Sequence, residues 1–142
     1  MASFRIGYYL SKDFDDIKAT IAPFLSKIDD IDKGRWSLDG CLDDIKNGDL
    51  IAWMVWSEDK VIAVITTRIC QARIKYLVIE DVAGTRLNEW IAQAHDEIEQ
   101  LAKQLGCSQI TSGGRAGWEK YFKQFGFTKS RVEGYKNIEV SA

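Results

Sequence analysis

The sequence predicts a single α/β (α+β) domain in which a mixed, mainly antiparallel sheet is flanked by helices. Three observations carry that prediction. Three apolar runs follow one another between Leu50 and Glu80 with only short polar stretches between them, the pattern of an antiparallel meander. The apolar period then changes from two to about three and a half, which marks a long amphipathic helix. A further strand follows that helix, so a β-α-β crossover returns the chain to the sheet. With 142 residues, 46% of them hydrophobic, the chain has the size and composition of one globular domain; its single proline leaves little room for a linker.

The expected order is β-α-α-β-β-β-α-β-α-β-β. Phe4–Leu10, rich in aromatic and β-branched residues, opens as a strand. Ser11 and Asp13 can cap a helix that places Phe14, Ile17, Ile21, Phe24, Leu25 and Ile28 at helical spacing, with a kink or break expected just before Pro23. A second helix runs from Ser37 to about Lys46 and stops at Asn47–Gly48. Leu50–Trp56, Val61–Ile69 and Ile74–Glu80 form the meander. Leu87, Trp90, Ile91, Ala94, Ile98, Leu101 and Leu105 define the long helix, from about Thr85 to Leu105, closed by Gly106. Ser108–Ser112 is a short strand and Arg115–Phe125 a helix with an aromatic face. Phe127–Val132 and Tyr135–Val140 make a last hairpin around Glu133–Gly134.

Composition excludes several function classes. A net charge of −2 argues against a general nucleic-acid binder, and Lys120, Lys123, Lys129 and Arg131 read as a solvated face. Cys41, Cys70 and Cys107 form no CxxC pair and have only His95 to join them, so neither a metal site nor a disulfide framework is expected. No apolar run is long enough to span a bilayer, and Met1–Arg5 carries no targeting run. A soluble, cytoplasmic protein is the expectation.

Two motifs carry a family resemblance. Leu77–Thr85 joins a strand through a glycine turn to a long helix, and Trp118–Phe127 is an aromatic helix ending in Gly126–Phe127. Together with the element order, they resemble the GNAT (GCN5-related) N-acetyltransferases. The stretch from Gly106–Cys107 through Gly114–Trp118 is similar to small GNAT-like proteins encoded by bacteriophages. The resemblance implies acetyl-CoA as cofactor and an amine as acceptor. It also implies cofactor contacts from Val78, Gly84, Thr85, Arg86 and Arg115, because a helix N-terminus beside a glycine suits a pyrophosphate. The sequence departs from the family pattern at Ala83, Arg86 and Asn88, where a basic and two small residues are usual. Gly84–Thr85 also reads as an ordinary strand-to-helix turn with Thr85 as N-cap.

For the chemistry, the resemblance points to a tyrosine four residues before Gly126, and Phe122 stands there. Tyr121, one residue away, is the remaining candidate acid; it also reads as a core or rim aromatic. Glu80 and Asp81 fall at the expected strand end, where a carboxylate could deprotonate the attacking amine. Glu80 is the first choice because it keeps register with the apolar residues of the strand. His95 has no partner at triad spacing and reads as a partly exposed helix residue, and Cys107 has no activating base. Trp53 and Trp56, three apart on one strand, must face opposite sides, which leaves room for a homo-oligomeric contact. The alternative to an enzyme is a GNAT-like scaffold that has lost its chemistry and serves as an interaction or virion-associated protein.

Overall fold

A computed structural model of the chain describes residues 4–29, 36–113, 119–128 and 136–138. In chain order it comprises β1 (Phe4–Tyr9), a 3-10 turn (Ser11–Asp13), α1 (Phe14–Asp29), α2 (Leu38–Asn47), β2 (Ile51–Ser57), β3 (Lys60–Gln71), β4 (Lys75–Gly84), α3 (Leu87–Gln104), β5 (Gln109–Ser112) and α4 (Glu119–Gln124). The strands lie in the sheet in that same order. From β1 to β4 each strand is antiparallel to its neighbour, and β5 runs parallel to β4. This is the mixed sheet the sequence predicts. The closing hairpin lies almost wholly outside the described residues, as do residues 114–118 with Arg115, Lys129 and Arg131, and the side chain of Phe122.

Two apolar layers hold the sheet. On one face Phe14, Ile17, Ile21 and Leu25 of α1, with Leu42 and Ile45 of α2, close over Ala52, Met54 and Val64. On the other, Trp90, Ala94, Ile98 and Leu101 of α3 close over Trp53, Val55, Ile65 and Leu77. The tryptophans of β2 divide as their spacing requires. Trp53 is buried on the α3 face, where its indole N–H donates to Thr67 Oγ1 at 3.0 Å. Trp56 packs on the α1 face beneath the Arg5 guanidinium, 4.5 Å from the ring centroid.

Helix ends follow local chemistry. Ser37 caps α2 by accepting from the Gly40 N–H at 3.0 Å, and Gly48 ends it with a left-handed φ of 87°. Pro23, contrary to expectation, does not break α1, which runs on to Asp29. Its ring and the Ala19 carbonyl it leaves without a donor both lie on the exposed side, where water can take the missing bond.

The larger correction concerns β4. The strand does not end at Glu80 but continues to Gly84, and α3 begins at Leu87 with Arg86, not Thr85, at the N-cap. The Thr85 N–H donates to the Ile62 carbonyl at 3.0 Å, which holds it to the sheet edge rather than to the helix. Gly84 is obligatory there: at φ 145° a Cβ would lie 2.4 Å from that same Ile62 oxygen.

Candidate active site

The centre of the candidate site is an irregularity in β4. Its pairing with β3 passes from Thr67↔Ile79 directly to Thr66↔Asp81, so Glu80 is the extra residue of a β-bulge. β5 accompanies β4 only as far as Ile79↔Ser112. β5 ends at Ser112, so among the described residues β4 has no partner on that side from Glu80 to Gly84.

The bulge breaks the alternation expected of Glu80 and places two adjacent carboxylates towards α2. Glu80 receives Arg68, with Nε 2.6 Å from Oε1 and a second guanidinium nitrogen 3.4 Å from Oε2; Arg68 also reaches Asp44 of α2 at 3.0 Å. Asp81 is buried. Its Oδ2 accepts from Thr66 Oγ1 at 2.6 Å and lies 3.9 Å from Cys41 Sγ, and the Trp36 side chain adds a hydrogen bond. Burial pushes the Asp81 carboxyl above the ordinary aspartate range; the Thr66 hydrogen bond opposes that rise, and the neighbouring Glu80 charge adds to it. Burial, reinforced by the Asp81 charge, pushes the Cys41 thiol up to about 12.

On the opposite face lies a cleft between the sheet, α3 and α4. Ile79 and Val82 of β4 line it on both sides of the bulge, with Ile91, Ala94 and His95 of α3 and Tyr121 of α4. The cleft is about 450 Å³, open solvent included. His95 is half-buried here and stacks on Phe125, ring centroids 4.5 Å apart. The Tyr121 hydroxyl donates to Asn88 Oδ1, in the first turn of α3.

The residues singled out from the sequence thus fall in three places. Gly84, Thr85 and Arg86 form the turn into α3, Tyr121 reaches that helix through Asn88, and Glu80 faces α2. Val78 pairs with Arg68 on one side and Thr111 on the other, and Arg115 lies outside the described residues. Arg86 takes a left-handed φ of 60°. Its guanidinium grips Glu89 at 2.8 and 3.1 Å, bonds Ser57 Oγ at 3.0 Å and covers the Phe4 ring. Sequence reasoning missed Thr66, Arg68 and Asn88. Each owes its place to a partner at least twelve residues away, which no local spacing encodes. A usable signal did exist for the bulge. Two consecutive acids are followed by Val82–Ala83, an apolar pair that a true strand end would not require.

No family model matches the sequence, and neither does any curated protein. Solved structures do match over nearly the whole chain. Ribosomal-protein-alanine N-acetyltransferase from Brucella melitensis biovar Abortus 2308 superposes with a TM-score of 0.71 at 11% identity, covering 97% of this chain and 100% of that one. The fold is that of the GNAT N-acetyltransferases. An aminoglycoside N-acetyltransferase in complex with CoA gives 0.69 at 13% identity, covering 96% of each chain. Glucosamine-6-phosphate N-acetyltransferase from Arabidopsis thaliana gives 0.68 at 15%, covering 96% of this chain and 99% of that one. These likenesses concern the fold, and they lend no support to a phage-encoded or virion-associated protein. Among the described residues no helix is long and apolar enough to cross a membrane.

Proposed function

We propose that this chain is an acyl-CoA-dependent N-acyltransferase, with acetyl-CoA as donor and an amine of a class still to be identified as acceptor. The observation that carries this reading is the bulge at Glu80, beside the residue where the pairing of β4 with β5 ends. It presents two carboxylates to one face, while an apolar cleft containing a tyrosine opens on the other. N-acetyltransferase neighbours of the same fold support it, one of them in complex with CoA.

Acyl-CoA supplies a thioester carbonyl and a sulfur leaving group. The apolar lining of the cleft suits its pantetheine arm, and the first turn of α3, after Gly84 and Thr85, suits its anionic end. Val78 and Arg115 remain candidate cofactor contacts on the family resemblance alone, and Arg86 would contribute charge once released from Glu89. Of the two carboxylates, Glu80 has both oxygens on Arg68, whereas Asp81 is made more basic by burial. Asp81 is therefore the better base for the incoming ammonium, directly or through water, with Glu80 and Arg68 shaping the acceptor side. Tyr121 is the proposed acid, and its hydroxyl has to leave Asn88 to meet the leaving sulfur.

Isothermal calorimetry with acetyl-CoA and CoA tests the reading. Binding is expected, and Asp81→Asn should leave it intact while lowering acyl transfer to any accepted amine by about two orders of magnitude or more. A second reading, a GNAT-shaped interaction protein without chemistry, is favoured by the engagement of the Thr85 N–H and the Arg86 guanidinium. Absence of binding at millimolar CoA would leave that reading standing.

A further inference from the structure

We infer that the donors of this acyltransferase include hydrocarbon acyl groups longer than acetyl, held in the inner end of the cleft between the sheet and α3; this rests on the acyltransferase reading above. The lining of the cleft divides along α3. The end near the first turn has Ile91, Val82 just before the Gly84 turn, and Tyr121, whose hydroxyl bonds Asn88. Ile98 lies seven residues beyond Ile91, about 10 Å along the helix, and lines the inner end with Ile79 and its β5 partner Ser112. Between the two ends His95 stacks on Phe125, with the Phe127 ring centroid 5.6 Å away, so aromatic rings wall the cleft.

The proposed function seats the anionic end of acyl-CoA at the first turn of α3. The near end of the cleft then receives the arm, and the inner end receives what the arm carries, the acyl group. From Ala94 to Ile98 the helix rises about 6 Å, the reach of an extended chain of about four to six carbons with bonds of about 1.5 Å. Both residues are buried in the layer between α3 and the sheet, so the inner end borders core hydrocarbon. An acetyl group is too short to cover that lining, whereas each methylene of a longer chain exchanges water for hydrocarbon. Among the described residues the lining carries no carboxylate, lysine or arginine. A chain ending in a carboxylate would be desolvated there without a partner, so the cleft selects a plain hydrocarbon tail.

The test needs no knowledge of the acceptor. CoA and its acetyl, butyryl, hexanoyl, decanoyl and succinyl thioesters are titrated calorimetrically into the wild type. A buried methylene is worth about fourfold in affinity, so butyryl-CoA should bind about tenfold more tightly than acetyl-CoA. The gain should level off by hexanoyl-CoA, and succinyl-CoA should bind no better than acetyl-CoA. Ser112→Leu fills the inner end from a half-buried strand position and should bring the butyryl-to-acetyl ratio close to one. Ala94→Val narrows the same space from the helix side and serves if the Ser112 variant does not fold. The readout is a ratio of two ligands on one protein, so a general loss of affinity does not imitate the effect. A wild-type ratio near one overturns the inference while sparing the acyltransferase reading. So does a ratio that both variants leave unchanged, a preference for the succinyl thioester, or a gain that climbs undiminished to decanoyl-CoA, the mark of adsorption to any apolar surface. Failure of the wild type to bind any of these ligands, CoA included, overturns that reading and the inference with it.

Discussion

The two faces of β4 solve different problems with neighbouring residues. On the α3 face the strand meets the helix through hydrocarbon: Leu77 and Ile79 join Trp90, Ala94 and Ile98, and the polar exception, Thr67, is satisfied by Trp53. On the α2 face the same strand carries Asp81 into a buried site and surrounds it with Thr66, Cys41 and Trp36. The first arrangement is a contribution to stability. The second costs stability, because a buried carboxylate is desolvated even when hydrogen-bonded. Under the proposed acyltransferase function, that cost falls where the chemistry would be done.

The sharpest way to break this contrast is to empty the α3 face. Trp90 is 1% exposed, and its indole N–H donates to the Thr85 carbonyl at 2.8 Å, so one side chain fills the core and secures the turn into α3. Trp90→Ala should destabilise the domain by about 3–5 kcal/mol, read from urea unfolding. A loss below about 1 kcal/mol would mean that the layer collapses around the gap and does not anchor the helix.

The α2 face should respond to pH instead. Asp81 has a folded pKa above the 3.8 of an ordinary aspartate, so the folded chain holds this proton more tightly than the unfolded one. The sign follows directly. The stability linked to that proton is fully present below about pH 4 and is lost as pH rises through the raised value. Asp81→Asn keeps the side-chain shape at this position and cannot titrate. The difference in urea midpoint between variant and wild type should therefore shift in favour of the variant from about pH 4 upward. Parallel curves would show that Asp81 is as well solvated folded as unfolded.

What the sequence made legible divides along the same line. The α3 face could be read almost residue by residue, because Leu87, Trp90, Ile91, Ala94, Ile98 and Leu101 repeat at helical spacing and burial follows period. The opposite helices were legible too, down to Ser37 and Gly48. The end of β4 was not. A bulge sets two consecutive residues on one side of a strand, and in one dimension Glu80–Asp81 looks like a polar terminus. The same step hid which acid is buried, since that depends on Thr66, Cys41 and Trp36 converging from three separate elements. Tyr121 could be named from the sequence but its partner could not, because the link to Asn88 spans thirty-three residues and joins two helices.

The smallest effect concerns Cys41, and it asks which force guards the polar face. The thiolate is the species that alkylates, and a thiol pushed up to about 12 leaves about one in ten thousand molecules ionised at pH 8. Iodoacetamide should therefore modify the half-buried Cys70 and Cys107 in the folded protein and reach Cys41 only after denaturation, as mass spectrometry would count. Burial is the larger cause of the rise and the Asp81 charge the second. Asp81→Asn removes only the charge, so Cys41 should remain the slowest of the three thiols in that variant. If it instead labels as fast as Cys70, the carboxylate and not the packing of α2 keeps this face closed, and the contrast between the two faces of β4 becomes one of charge alone.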